Sequence, residues 1–276
     1  MSMINVNGVS LHYRELGSRD NPTVVFSHLL GPWSSEVFDA LVAELNSAFH
    51  IVTIDQHGHG ESGYRTRMTL EDMADDYYQL LTDLRLSKVI WVGHSVGGMI
   101  GMRIAMSRPE LIGSLILIAT TARLDPPELL QQTSQLWELF RDGHREDIVE
   151  PALPFLFSPA TYKNQPDLVE QARNKLITTG DATGRFEVAR AVFTRGDVSE
   201  QIRTIKAPTL VIAGRDDPSA PPAEAEVIAS KIPNSELRVL DDAGHMVVIE
   251  KPKHVARAIE IFLSRICGHP AGSVAM

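Results

Sequence analysis

The run Gly93-His94-Ser95-Val96-Gly97-Gly98 lies between a short apolar, β-branched segment, Val89-Ile90-Trp91-Val92, and a helix-like stretch from Met99 to Ser107. A chain that passes from strand to helix this quickly must turn sharply, and so tight a turn strains the backbone of the residue at its apex. The turn closes only if the residues two before and two after the apex lack bulky side chains, a demand that Gly93 and Gly97 meet. Ser95, at the apex, is therefore a candidate nucleophile. The same turn sets the N–H of Val96 at a helix start, where unpaired donors and the helix dipole favour negative charge, so Val96 is a candidate oxyanion donor.

Similar apolar runs, bounded by turn residues, recur at residues 11–14, 23–27, 50–54, 88–92, 115–118, 210–213 and 237–240. Most are nearly continuous in hydrophobicity, as strands of a parallel sheet must be when helices cover both faces. Between them lie segments of helical period. The clearest carries Leu70, Met73, Tyr77, Leu80, Leu81 and Leu84 on one face and Asp72, Asp75, Asp76, Gln79 and Asp83 on the other, with Thr69 and Asp72 spaced to cap its start. Further helices are expected near residues 34–47, 99–107, 223–231 and 254–266. The alternation predicts an α/β fold with a doubly wound, mostly parallel sheet.

The alternation stops between residues 122 and 196, where prolines separate amphipathic helical pieces such as the face of Leu129, Leu130, Thr133, Leu136, Trp137 and Phe140. This segment is read as a helical cap over the carboxyl edge of the sheet, where open α/β folds bind ligands. The expected organisation is a core of residues 1–121 and 197–268, the cap of residues 122–196, and a mobile tail of residues 269–276. A length of 276 residues suits one domain with such an insertion.

A net charge of −9 leaves no footprint for nucleic acid or acidic lipid, and no apolar run is long enough to cross a bilayer. The N-terminus lacks a secretory pattern, and the single cysteine, Cys267, excludes an internal disulfide and a cysteine metal cluster. A cytoplasmic protein acting on small molecules without a cofactor is expected, and its oligomeric state is not readable. Gly58-His59-Gly60-Glu61-Ser62-Gly63 has the dinucleotide spacing G-x-G-x-x-G, but the polar, irregular residues 64–68 that follow do not open a helix. His57, His59 and Glu61 lack further metal ligands in sequence, and Asp55 reads as a turn former.

A serine hydroxyl is a weak nucleophile without a base, so a histidine and an orienting carboxylate should follow. After the run at residues 209–213 comes Gly214-Arg215-Asp216-Asp217-Pro218, and after residues 238–240 comes Asp241-Asp242-Ala243-Gly244-His245. His245 is the candidate base. Asp217 is the candidate acid, with Asp216 and the more remote Asp125 as substitutes; Asp241 and Asp242 read as a solvated turn. The order serine, acid, histidine is the one found in α/β-hydrolases.

Over residues 3–266 the chain resembles the α/β-hydrolase superfamily, through the elbow at Ser95, the turn Gly214 to Asp217 and the pair Gly244-His245. Among its branches the chain is most similar to 3-oxoadipate enol-lactonases and small carboxylesterases. The runs Gly97-Gly98-Met99-Ile100-Gly101, Ala119-Thr120-Thr121-Ala122-Arg123-Leu124 and Asp217-Pro218-Ser219-Ala220-Pro221-Pro222 carry that similarity. The cap run Leu153-Pro154-Phe155-Leu156-Phe157-Ser158-Pro159 departs from it, lacking the arginine-tryptophan pair that such lactonases share.

The resemblance implies cleavage of a small carboxylic ester or lactone through an acyl-enzyme. It favours Asp217 as the acid and the amide of Leu30, with Leu29 as the alternative, for the second oxyanion donor. Carbon-carbon bond hydrolysis or cofactor-free perhydrolysis on the same triad, and a ligand receptor with a slow triad, are the alternatives. His28 and His94 are expected to be structural. Leu29, Trp137, Phe155, Phe157 and Phe193 are the candidate substrate-binding residues, with Phe186 as a further aromatic of the cap and Arg123 or Arg190 as partners for a substrate carboxylate.

Overall fold

The computed structural model describes residues 2–45, 48–179 and 182–267. Eight strands form one sheet: β1 (Ser2–Val6), β2 (Val9–Leu16), β3 (Thr23–Ser27), β4 (His50–Ile54), β5 (Val89–His94), β6 (Ile112–Ile118), β7 (Thr209–Gly214) and β8 (Ser235–Leu240). Their order across the sheet is β1-β2-β4-β3-β5-β6-β7-β8. β2 pairs antiparallel with β1 and β4, and every other pairing is parallel. This is the doubly wound, mostly parallel sheet anticipated from the strand and helix alternation.

The continuous apolar runs arise because successive side chains of each parallel strand enter different layers. Val25, Trp91, Leu115 and Val211 pack on one face, against α2 (Leu70–Asp83), α3 (Val96–Ser107) and α9 (Pro222–Lys231). Their chain neighbours Phe26, Val92, Ile116 and Ile212 pack on the other, against α1 (Asp39–Leu45) and α11 (Pro252–Cys267). The start of α2 is fixed as its sequence indicated: Thr69 Oγ1 accepts from the Asp72 amide at 3.1 Å, and the Asp72 carboxylate accepts from the Thr69 amide at 2.8 Å.

Two elements differ from the expectation. β1 was not anticipated, because it is an edge strand in which only Val6 is buried, so no apolar run marks it. The signal that was available is Asn7-Gly8, whose φ values of 49° and 83° make the two-residue hairpin turn joining β1 to β2. The helix expected over residues 34–47 is a 3-10 turn, Ser35–Phe38, followed by α1, and Ser47 lies outside the described residues. The expected tail at residues 269–276 also lies outside them.

Between β6 and β7 run five helices and no strand among the described residues: α4 (Pro127–Arg141), α5 (Arg145–Ala152), α6 (Pro159–Asn164), α7 (Pro166–Thr178) and α8 (Thr183–Phe193). The glycine-rich loop after β4 supports this insertion and opens no helix. Gly58 (φ 66°) lies against α8 so closely that a Cβ there would come within 2.3 Å of the Gly184 backbone. A short α10 (Val247–Glu250) precedes α11. No described helix is long and apolar enough to cross a membrane.

Candidate active site

Ser95 stands between β5 and α3 with φ 53° and ψ −114°, a conformation that costs a non-glycine residue about 1–3 kcal/mol. The neighbouring structure holds it there. Its amide donates to Ile118 O at 2.8 Å, and its carbonyl accepts from Gly98, Met99 and the Thr120 hydroxyl. A Cβ on Gly93 would sit 2.3 Å from Gly97 O, and one on Gly97 would sit 2.0 Å from Ser27 O, so both glycines are steric requirements of the turn.

Three loops at the carboxyl ends of β5, β7 and β8 bring the expected side chains into one line. His245 Nε2 is 3.1 Å from Ser95 Oγ, and His245 Nδ1 is 2.9 Å from Asp217 Oδ2. A carboxylate only accepts, so Nδ1 carries the proton and Nε2 accepts from the serine hydroxyl. Asp217 is buried, and its other oxygen accepts from the amides of Ser219 and Ala220 at 2.8 and 2.9 Å. Burial alone would raise its pKa, but His245 and these amides together hold it below the usual carboxylate value. For His245 burial works downward. The Asp217 carboxylate, with a smaller contribution from Glu250, outweighs it and holds the imidazole above its ordinary value.

No other acidic side chain considered from the sequence bonds His245. Asp216 and Asp241 are exposed, Asp241 pairing with Arg215; Asp242 is an exposed turn residue at φ 53°; Asp125 pairs with Arg195 at 3.0 Å.

The loop carrying His245 is pinned by His94 and by a carboxylate that sequence patterns did not reveal. His94 Nε2 donates to His245 O at 2.8 Å, and burial together with the facing His245 lowers the His94 pKa to about 3, so its ring is neutral. On the other side, the buried Glu250 carboxylate accepts from the Gly244 amide at 2.8 Å, the Ser158 amide at 3.0 Å and the Thr161 hydroxyl at 2.5 Å. Met246 N donates to Leu156 O at 2.9 Å. One carboxylate thus ties the loop before His245 to the cap residues that lead into α6. Glu250 lies five positions after His245 on a four-residue helix, and only the folded cap discloses its partners.

The loop after β3 forms the opposite wall. Leu30 borders the cavity beside Ser95, whereas the Leu29 side chain is buried in the core. The Gly31 amide donates to His59 Nε2 at 3.3 Å, and Gly31 O accepts from Arg185 Nε of α8 at 3.1 Å. His28 is buried and neutral, its pKa lowered to about 4 chiefly by burial. It donates from Nδ1 to Leu29 O and accepts at Nε2 from the Gln56 amide. His57 bonds the buried Asp76 at 2.8 Å, so both histidines of the glycine-rich loop are structural braces. Asp55 likewise accepts from His12 and from the amides of Ser35 and Glu61. Val96 is the first residue of α3, and a first-turn N–H has no intrahelical acceptor.

Two hollows meet at Ser95 and His245. The larger, about 220 Å³, is walled by Trp33, Leu136, Trp137 and Phe140, and the smaller, about 130 Å³, by Met99, Thr120, Thr121 and Phe193, with Phe155 bordering both. Trp137 borders the larger hollow, Phe193 the smaller and Phe155 both. Leu29 and Phe157 border neither, which corrects their assignment. Phe157 immediately precedes Ser158, whose amide Glu250 holds, and its ring is buried in the core. Phe186 instead lies under the Arg141 guanidinium, 4.4 Å from its ring centre. Arg123 pairs with Glu224, and Arg190 with Glu187, so neither lines a hollow. Leu136 and Phe140 were missed as wall residues, since helical spacing alone does not separate a wall from a core, and Trp33 because it stands in the irregular loop after β3.

Residues 22–252 match the family described as alpha/beta hydrolase fold, and the chain belongs to that family. It is 28% identical over 267 residues to 3-oxoadipate enol-lactonase 2 of Acinetobacter baylyi, spanning 95% of this chain and 96% of the relative. Among solved structures it is similar to a thermophilic esterase from Thermogutta terrifontis, with a TM-score of 0.88, 29% identity, and coverage of 96% of this chain and 99% of that one. It is also similar to the enol-lactonase from Burkholderia xenovorans, with a TM-score of 0.87, 27% identity, and coverage of 95% and 100%.

Proposed function

We propose that the protein is a serine hydrolase that cleaves a small carboxylic ester or lactone through an acyl-enzyme. The observation that carries this reading is the hydrogen-bonded line from Ser95 Oγ through His245 to the buried Asp217, opening on a largely apolar cavity. Similarity to an enol-lactonase and an esterase supports the same chemistry.

In this reading His245 Nε2 takes the Ser95 proton as Oγ attacks the substrate carbonyl. The charge that forms on the carbonyl oxygen meets the amides of Val96 and Leu30, each such donor contributing about 3 kcal/mol to the transition state. Asp217 fixes the Nδ1–H tautomer and stabilises the imidazolium. His245 then protonates the departing alkoxide, which stays tethered to the acyl group when the substrate is a lactone. Water, deprotonated by the same Nε2, attacks the acyl carbon and restores Ser95.

A rapid-quench experiment with an aryl ester, followed by intact mass measurement, tests this. The expected result is one acyl adduct, mapping to Ser95 and absent in Ser95→Ala. Undiminished hydrolysis by Ser95→Ala overturns the reading.

A further inference from the structure

The two hollows that meet at Ser95 differ in chemistry, and the difference is set by where the protons of their hydroxyl groups point. Around the smaller hollow, Thr120 Oγ1 donates to Ser95 O at 2.7 Å, and Thr121 Oγ1 donates to the Glu224 carboxylate at 2.7 Å while accepting from the Arg123 amide at 3.1 Å. At the border of both hollows, Thr133 Oγ1 donates to Leu129 O at 2.7 Å and Ser219 Oγ to Phe155 O at 2.8 Å. A hydroxyl has one proton, so all four present only oxygen lone pairs to a bound molecule. Asp125, the remaining charged side chain in the wall, is an acceptor too. Arg195 binds it at 3.0 Å but does not itself line the hollow. Among the described residues, neither hollow has a lysine or arginine in its wall.

A carboxylate placed in the smaller hollow would lose its water, find no side-chain donor in place of it, and face Asp125. A hydroxyl or amine would find acceptors already oriented. The larger hollow offers aromatic and aliphatic surface with no such demand. A void of about 150 Å³ holds one benzene ring, so 220 Å³ takes a ring with about two or three further carbons. The smaller, 130 Å³, holds about four groups of water size.

Building on the serine hydrolase reading, we infer that the substrate is an ester with one apolar limb of phenylpropyl size and one compact limb that bears a hydrogen-bond donor. The apolar limb lies against Trp33, Leu136, Trp137 and Phe140. The compact limb faces Thr120, Thr121 and Asp125, and a carboxylate on it is rejected. Similarity to enol-lactonases therefore does not extend to an anionic substrate at this site.

The test is a panel of 3-phenylpropanoate esters carrying propyl, 2-hydroxyethyl, 2-aminoethyl and carboxymethyl groups, with a reversed series of 3-phenylpropyl esters of butanoic, 3-hydroxypropanoic and succinic acids. In at least one series the hydroxyl compound is expected to equal or exceed its plain alkyl counterpart in kcat/KM and to exceed the carboxylate at least tenfold. Asp125→Asn keeps an acceptor for Arg195 while removing the charge, and is expected to narrow the carboxylate gap several-fold. Carboxylates cleaved as well as, or better than, the hydroxyl compounds in both series overturn the inference, as does a gap that Asp125→Asn leaves unchanged. The wild-type panel decides alone if that variant does not fold. Cleavage of all compounds at similar rates, or of none while an aryl ester still acylates Ser95, defeats only the substrate assignment, whereas loss of that acyl adduct as well defeats the serine hydrolase reading.

Discussion

On the sheet side of the cleft, Asp217 and His245 are buried and bonded at both ring nitrogens and both carboxylate oxygens, and His94 and Glu250 hold the peptide groups on either side of the base. On the cap side, α4 buries only Phe140, while Leu129, Leu136 and Trp137 stay half-exposed along the hollows. The two walls answer different physical demands. Proton transfer needs heavy atoms at hydrogen-bond distance and correct orientation, so each polar atom must be over-determined. An apolar limb needs only volume and a dry surface, which the apolar face of α4 supplies.

The sharpest way to break this contrast is on the sheet side. Ser95→Ala is expected to lower kcat on an aryl ester by about 10⁶, since the members of such a triad act as a unit. Its melting temperature should stay at or above that of the wild type, because among the described residues the removed hydroxyl bonds only His245 and alanine also leaves the strained turn occupied by a small side chain. Asp217→Asn comes next, at about 10⁴, because an amide at that position stabilises the wrong imidazole tautomer. Steady-state rates beside a thermal melt check both; a loss of more than a few degrees in Ser95→Ala would mean that the serine is part of the structural frame.

Glu250→Gln addresses the link between the walls. The amide keeps one acceptor oxygen but loses the second, so of the bonds to Gly244, Ser158 and Thr161 at least one is lost. A hydrogen bond to a charged group contributes about 1.5–3 kcal/mol, and kcat is expected to fall about tenfold with KM less affected. The pH profile separates positioning from bulk stability. In the proposed mechanism His245 takes a proton only when neutral, and it is held above its ordinary pKa, so kcat/KM is expected to rise as pH climbs through that raised value. The ionisable groups around it are Asp217, Glu250 and the neutral His94. Removing the Glu250 charge takes away one of the raising influences, so the ascending limb moves to lower pH. A lowered melting temperature with an unmoved limb and an unchanged kcat would reduce Glu250 to a structural clamp.

The same contrast explains what was legible in the sequence. The elbow was, because Gly93, Ser95 and Gly97 meet a local steric condition that three residues express by themselves. The alternation of apolar runs with helical segments disclosed the layered sheet, since the burial of each parallel strand on both faces is written into consecutive residues. Position within the cap was not legible. Phe155 and Phe157 are two residues apart with the same chemistry, yet one borders both hollows and the other is core, a difference no periodicity in the sequence expresses. β1 was hidden because an exposed edge strand has no apolar signature, although Asn7-Gly8 announced its hairpin.

The smallest expected effect lies on the cap, and its smallness is what the contrast requires. Trp137 is half-exposed on α4, contacts Phe140 edge-on at a ring separation of 5.2 Å, and walls the larger hollow. Trp137→Ala enlarges that hollow without touching any hydrogen bond of Ser95, His245 or Asp217. The rate on an acetate ester, whose acyl limb is too short to reach the indole, should stay within about twofold. The preference for a phenylpropanoate over an acetate should fall by about tenfold, the equivalent of about 1–2 kcal/mol of lost apolar contact. A melt should move by only a degree or two, because the side chain was never fully removed from water. Comparable losses on both esters would show that the cap holds the base as well as the substrate, and the division between a fixed wall and an adaptable one would have to be redrawn around α4.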